Sequence, residues 1–420
     1  MIALMNHRLL GVGCFVVVAA IVTATAQERS VLPWSPAVQA LASPAGPSSG
    51  QPQLSASPRG VILSWVERDG QRATLRFAER TSNGWSAPRT AASGNDWFVN
   101  WADVPSVVLL ANGTLVGHWL QKSGPDAYAY DVRLSYSQDD GRTWSPSFVP
   151  HGDGTKTEHG FASLFQMPRA GLGLVWLDGR AMKPQSGHDD HGGSAGSMSV
   201  RFATFDLNWR QTSEAPVDLR VCECCPTAAA VTSEGPIAAF RNRTEDEVRD
   251  IHVSRLENGK WTEPKAVHED GWKINACPVN GPMLSARGRD VALAWFTARN
   301  DEGRAFVAFS QDAGRSFGAP IRLDDAGALG RVDVELTPDG SAIASWIEFA
   351  QQRAQFRVRR VEPSGARSPS ATVTSLAGTR ASGYPRIGLS GDELVFAWTE
   401  NAQGTSRVQT AVARLPAHAR

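Results

Sequence analysis

Cysteine is scarce in this chain, with five among 420 residues. A disulfide-dense scaffold is therefore excluded, and the three cysteines crowded into VCECCPTAAA (residues 221–230) stand out. Net charge is also lacking: 42 Lys and Arg balance 42 Asp and Glu. That balance argues against nucleic acid or anionic membranes as partners, since both select basic excess. No phosphate-binding loop, dinucleotide fingerprint or G-x-S-x-G elbow occurs. What is present, 42% hydrophobic and 20% charged residues, is the composition of a globular protein.

The first 26 residues stand apart. Arg8 precedes the apolar run LLGVGCFVVVAAIV, and Ala24-x-Ala26 offers a cleavage site. A basic start, an apolar middle and small residues at the end make a secretory signal (1–26), with an uncleaved anchor as the alternative. No other membrane insertion is expected. The protein is then exported, periplasmic or extracellular, with 27–420 as one domain. Cys14 falls in the apolar run, so the mature chain keeps Cys222, Cys224, Cys225 and Cys277.

A pattern recurs down that mature chain: an apolar run ending in an aromatic residue. The copies end at Trp65, Trp119, Trp176, Phe240, Trp295, Trp346 and Trp398, at intervals of 54, 57, 64, 55, 51 and 52 residues. A shorter apolar stretch precedes each run, as in PTAAAV. An alternating stretch follows it, as in RAFVAFS, and then a Gly-centred turn and W-S-P-like text. Four short strands per repeat predict an all-β fold, a β-propeller of seven four-stranded blades, with six as the alternative. The last copy lacks its outer strand, and VLPWSPAVQAL near the mature N-terminus supplies matching text. That segment is expected to close the ring and remove the open edges.

Two turns are more specific. SQDDGRTW (137–144) fits the pattern S-x-D-x-G-x-T-W, and SQDAGRSF (310–317) nearly does. With these Asp-boxes and the blade pattern, the chain resembles the sialidase (BNR-repeat) superfamily. The resemblance implies a propeller that acts on or binds glycans, with an arginine cluster for a carboxylate, an Asp acid/base and a Tyr nucleophile assisted by Glu. Carried over residue by residue, it points to Tyr384 in SGYPRIGL as the nucleophile and to Asp126 or Asp131 as the acid/base. Arg241, Arg243 and Arg386 become the anion contacts. The sequence also departs from the family: Asp103-Val104-Pro105 stands where an Arg-x-Pro motif belongs, and Cys225 falls where the glutamate would stand.

Aligned on the aromatic residue, Cys222 lies 18 residues before Phe240, and Cys277 lies 18 before Trp295. Both then belong to loops that lead into the innermost strand, around the mouth of the channel. The same register brings Trp101, Asp103, Glu158, His159, Asn280 and Arg331 to that mouth as candidate ligand contacts. The long loop of blade 3 adds His188 and His191. Three readings of the cysteines stand side by side: two structural disulfides, a redox-active pair, or a metal site. Cys222 and Cys225 have C-x2-C spacing, and thiolates with imidazoles from His159, His188 or His191 suit copper or zinc. The leading expectation is a Cys/His-centred metal or redox site, with a small molecule, a metal or a glycan as ligand. The alternative is an exo-sialidase-type hydrolase or a glycan-binding propeller in which Trp97, Trp101 or Trp272 stacks on a sugar.

Overall fold

The computed structural model describes residues 33–167, 171–182, 196–402 and 404–415. Its antiparallel sheets form seven blades, neighbours packing in cyclic order. Each innermost strand leads down the channel wall: Ser49–Ser57, Ser106–Leu109, His159–Met167, Ala228–Thr232, Met283–Arg287, Gly327–Leu336 and Arg386–Ser390. Blade 2 is the departure, with three strands in its sheet and the outer position reduced to a bridge between Leu134 and Phe148. Blade 7 closes as the sequence predicts: Gln39–Leu41 pairs with Thr405–Arg414.

The recurring aromatic residue explains the repeat. Trp65, Trp176, Trp295 and Trp346 are wholly buried between sheets. A buried indole N–H needs an acceptor, and the chain places one two residues on. Trp65 donates to Glu67, Trp176 to Asp178 and Trp346 to Glu348, each at 2.9 Å. In blade 5 the Trp295 indole instead reaches Asp270, at 2.8 Å.

Both Asp-boxes are turn staples. Asp139 accepts from Ser137, from the Thr143 amide and from the Thr143 hydroxyl; Asp312 does the same with Ser310 and Ser316. Gly141 sits at φ 79°, and a Cβ there would come within 2.7 Å of Phe77 on blade 1. The turn therefore needs glycine both for its backbone and for its contact with the neighbouring blade. Trp144 completes that contact edge-on to Phe77, with ring centroids 6.0 Å apart.

Candidate functional site

The loops that lead into the innermost strands meet over the channel axis. Trp101 of blade 2 stacks on Tyr384 of blade 7, with centroids 5.8 Å apart, and the Arg331 guanidinium of blade 6 lies 4.9 Å from the Trp101 ring. Tyr384 donates its hydroxyl to the Val279 carbonyl of blade 5. Asn280 accepts the Arg331 amide at 2.8 Å. Trp101, Asn280 and Arg331 thus converge as expected, but they form a packed plug and not an open mouth. With Tyr384 and Arg331 against it, the Trp101 ring is engaged in packing. Trp97 is likewise stacked on Trp119, and Trp272 lies under Arg241.

The four cysteines belong to this plug. Cys222, Cys224 and Cys225 share an apolar cluster with Phe161 and Tyr384, and Cys277 packs against it. Disulfides join Cys222 to Cys225 and Cys224 to Cys277, with Cα atoms 5.8 and 6.1 Å apart. The second bond crosses from blade 4 to blade 5. It can form because Gly281 lies directly against the Pro226 backbone, where any Cβ would overlap the Pro226 carbonyl. The two pairs are also close to each other, with Cys222 Sγ 3.9 Å from Cys224 Sγ. Access differs between them: Cys222 and Cys225 are each 1% exposed, Cys224 9%, and Cys277 is half-buried. Arg249 brings Nη1 to 3.5 Å from Cys222 Sγ and to 3.0 Å from Glu223. Glu223 also pairs with Arg243.

The residues that the sialidase resemblance singled out are distributed differently. Arg241 is buried, and its three donor groups go to the carbonyls of Asn280, Arg249 and Phe296 at 2.8, 2.6 and 2.6 Å. Burial lowers its pKa to about 10. Arg243 is held by Glu223 and Glu247. Arg386 lies in the channel, 3.3 Å from Met283 Sδ. Burial pushes the Tyr384 phenol up, the opposite of what an activated nucleophile needs. Asp126 is exposed on the loop between Leu115–Lys122 and Tyr130–Ser137, whereas Asp131 faces two histidines. Arg386 also places its guanidinium 5.4 Å from the Tyr384 ring, so this arginine and the tyrosine are neighbours, whereas Asp131 is engaged with His151 and His159.

Below the plug the channel holds a cavity of about 350 Å³, lined by Asp103, His118, Ser285, Glu335 and Arg386 among others. Asp103 accepts the Phe161 amide at 2.7 Å, tying blade 2 to blade 3. Burial raises it to about 8 against that hydrogen bond, with Glu158 adding to the rise. Glu335 is also raised to about 8, by burial and by Asp333. Glu158 is capped by the Tyr130 hydroxyl at 2.7 Å, and burial brings it to about 7.

His159 corrects the expected ligand set. It joins Asp131, His151, Asp153 and Asp178, and among the described residues no histidine groups with the sulfurs. Its ring belongs to the seam between blades 2 and 3, whereas the cysteines are on blades 4 and 5. His188 and His191 lie outside the described residues. Sequence reasoning missed His151, Asp153, Arg249 and Glu223. Of the groups near these clusters, Asp178 alone carried a signal, the recurrent acid two residues after the blade aromatic.

No protein-family model matches the chain, and no curated protein matches it by sequence. Solved structures do. A Dyadobacter fermentans protein of unknown function is 14% identical at a TM-score of 0.53, over 90% of this chain and 97% of that one. The polysaccharide lyase Uly1 is 10% identical at 0.52, over 87% and 90%. NanB sialidase from Streptococcus pneumoniae is 9% identical at 0.47, over 90% and 94%. At these identities the likeness shows the fold alone, a β-propeller.

Proposed function

We propose that this is an exported propeller whose plug carries a thiol–disulfide centre, and that its reduced form holds copper or zinc. The observation that carries this reading is the convergence of all four mature cysteines on one cluster. Cys222, Cys224 and Cys225 place their sulfurs within 4.8 Å of one another, and Cys277 reaches Cys224 from the next blade. A structural staple needs the blade-to-blade bond alone. The Cys222–Cys225 bond closes a segment with a sequence separation of only 3, which gives little loop-closure stabilisation. Arg249 beside Cys222 favours the thiolate, the form that exchanges and binds metal.

In the proposed cycle an external thiol attacks the half-buried Cys277 and releases the Cys224 thiolate. That thiolate lies 3.9 Å from Cys222 Sγ and passes the exchange inward. That second exchange forms a Cys222–Cys224 disulfide and frees the Cys225 thiolate. A second external thiol resolves the mixed disulfide at Cys277, and two more reduce Cys222–Cys224. The two bonds thus take up four electrons and four protons, and four donor thiols leave as two disulfides. The four resulting thiols are soft ligands suited to Cu(I) or Zn. The test is a free-thiol count with metal analysis on protein prepared without chelator. Two to four thiols after mild reduction, with copper or zinc bound and lost in Cys224→Ser, support the reading. No exchange short of unfolding, and no metal, overturns it.

The glycoside-hydrolase alternative has less support: Arg386 lies beside Tyr384, but burial raises that phenol and Asp131 is engaged with two histidines. Turnover of a sialoside that disappears in Tyr384→Phe would establish it nonetheless.

A further inference from the structure

Blades 2 and 3 meet over a second group of ligand-type side chains. Asp131 begins the third strand of blade 2, within Tyr130–Ser137. His151 and Asp153 stand in the loop that leads into blade 3, His159 opens its strand His159–Met167, and Asp178 ends Gly171–Asp178. The two imidazoles lie face to face, with centroids 3.8 Å apart and planes within 6°. One carboxylate holds both from behind: Asp153 Oδ1 is 3.2 Å from His151 Nδ1, and Asp153 Oδ2 is 3.1 Å from His159 Nε2.

That arrangement fixes what the other two nitrogens present. A ring that donates one N–H to a carboxylate offers its remaining nitrogen as a lone pair, the usual second-shell arrangement of metal-bound histidine. His151 Nε2 and His159 Nδ1 both face Asp131 Oδ1, at 3.8 and 3.6 Å. His159 Nδ1 also lies 3.2 Å from the Thr157 carbonyl, so the rival account is a doubly protonated His159 and no ion. The rival pairs His159 Nδ1 with Asp131 Oδ1 at 3.6 Å but leaves His151 Nε2 unexplained. His151 is 5% exposed, and its Nε2 and Asp131 Oδ1 are both buried with no hydrogen-bond partner. Two acceptors facing each other in a buried site are unfavourable unless a cation stands between them. Charge points the same way, because Asp153 and Asp178 share one arginine, Arg180, with Glu214.

We propose that His151 Nε2, His159 Nδ1 and Asp131 Oδ1 form a divalent transition-metal site of the zinc type, oriented from behind by Asp153. Bonds of about 2.0–2.1 Å in tetrahedral geometry set ligand atoms about 3.4 Å apart, so the ion draws these donors in by a few tenths of an ångström and tips the stacked rings toward itself. Imidazole and carboxylate donors suit zinc, not Cu(I). The ion joins the two blades where the sheet of blade 2 lacks its fourth strand.

The test uses the full mature chain with its disulfides intact and residual thiols alkylated, stripped of metal and then given Zn²⁺ or Co²⁺. About one equivalent is expected in the parent protein and in a Cys222→Ser, Cys225→Ser double variant, with the melting temperature raised. Asp131→Asn and His151→Gln should lose both the metal and the rise. Should those variants fail to fold, the cobalt spectrum of the parent decides. Tetrahedral d–d bands without a thiolate charge-transfer band support the site. A thiolate band, no bound metal, or binding unchanged in folded Asp131→Asn overturns it.

Discussion

The sulfur cluster of the plug, on blades 4 and 5, and the seam between blades 2 and 3 are both built near the starts of innermost strands, from side chains of metal-ligand type, yet they differ in construction. In the plug, three of four sulfurs come from one short loop, so proximity is local, and a close approach at Gly281 brings the fourth. In the seam, the groups come from two blades and from both loops and strand ends, and only the fold brings them together. Surroundings differ as well. The sulfurs pack among Phe161, Val279 and Tyr384, while the imidazoles are ringed by carboxylates. An apolar shell with soft donors and a charged shell with hard donors select different ions, so one propeller face can carry two independent sites.

Breaking the blade-to-blade disulfide should be the most damaging change. A cross-link at a sequence separation of 53 is worth about 4 kcal/mol by loop-closure entropy, against about 1.5 for a separation of 3. Denaturant unfolding should therefore show a Cys224→Ser, Cys277→Ser double variant far less stable than Cys222→Ser, Cys225→Ser. Equal losses would contradict the view that the blade-to-blade bond alone staples the fold. Gly281→Ala should follow at about 1–3 kcal/mol, because its methyl group overlaps Pro226. Slower re-formation of the Cys224–Cys277 bond, with the seam untouched, would locate the damage.

Protonation sharpens the contrast at a smaller scale. Glu335 and Asp103 sit near 8 in the folded protein, so between about pH 4 and 8 the folded state holds protons that the unfolded state has released. Stability therefore falls as pH rises through that window. Glu335→Gln should flatten the fall and raise the melting temperature at pH 8 by about 2 °C or more. The Asp-boxes act with the opposite sign. Thr143 and Ser137 hold Asp139 near 2, and Asp312 is held near 2 by Ser316 and Ser310 against partial burial. Their stabilisation is complete above about pH 4 and is lost as pH falls toward 2, so Asp139→Ala should lessen the acid sensitivity while lowering stability at pH 7.

These cases also mark what the sequence carried. The blade register was legible because each Trp repeats with its flanking strands, and the closing strand was legible because VLPWSPAVQAL matches a missing element. Cys222 and Cys277 were legible by rarity joined to register. His151 was not, because a lone histidine in HGDGT has no local pattern and Asp131, the carboxylate it faces across the seam, is 20 residues away. His159 was placed at the correct strand start but beside the wrong partners, since register gives the blade and not the direction of the side chain. The plug itself was illegible: Trp101 and Arg331 were read as mouth contacts and Tyr384 as a nucleophile, and only their packing across the axis shows that they fill it.

The most direct measurement equilibrates the native protein in thiol–disulfide buffers of graded potential and identifies the alkylated cysteines by mass spectrometry. The account predicts that Cys277 becomes labelled first and Cys222, Cys224 and Cys225 after it while the propeller stays folded, and that the reduced form takes up copper or zinc. If all four cysteines resist labelling until the fold is lost, the sulfurs are staples and the proposed centre is contradicted.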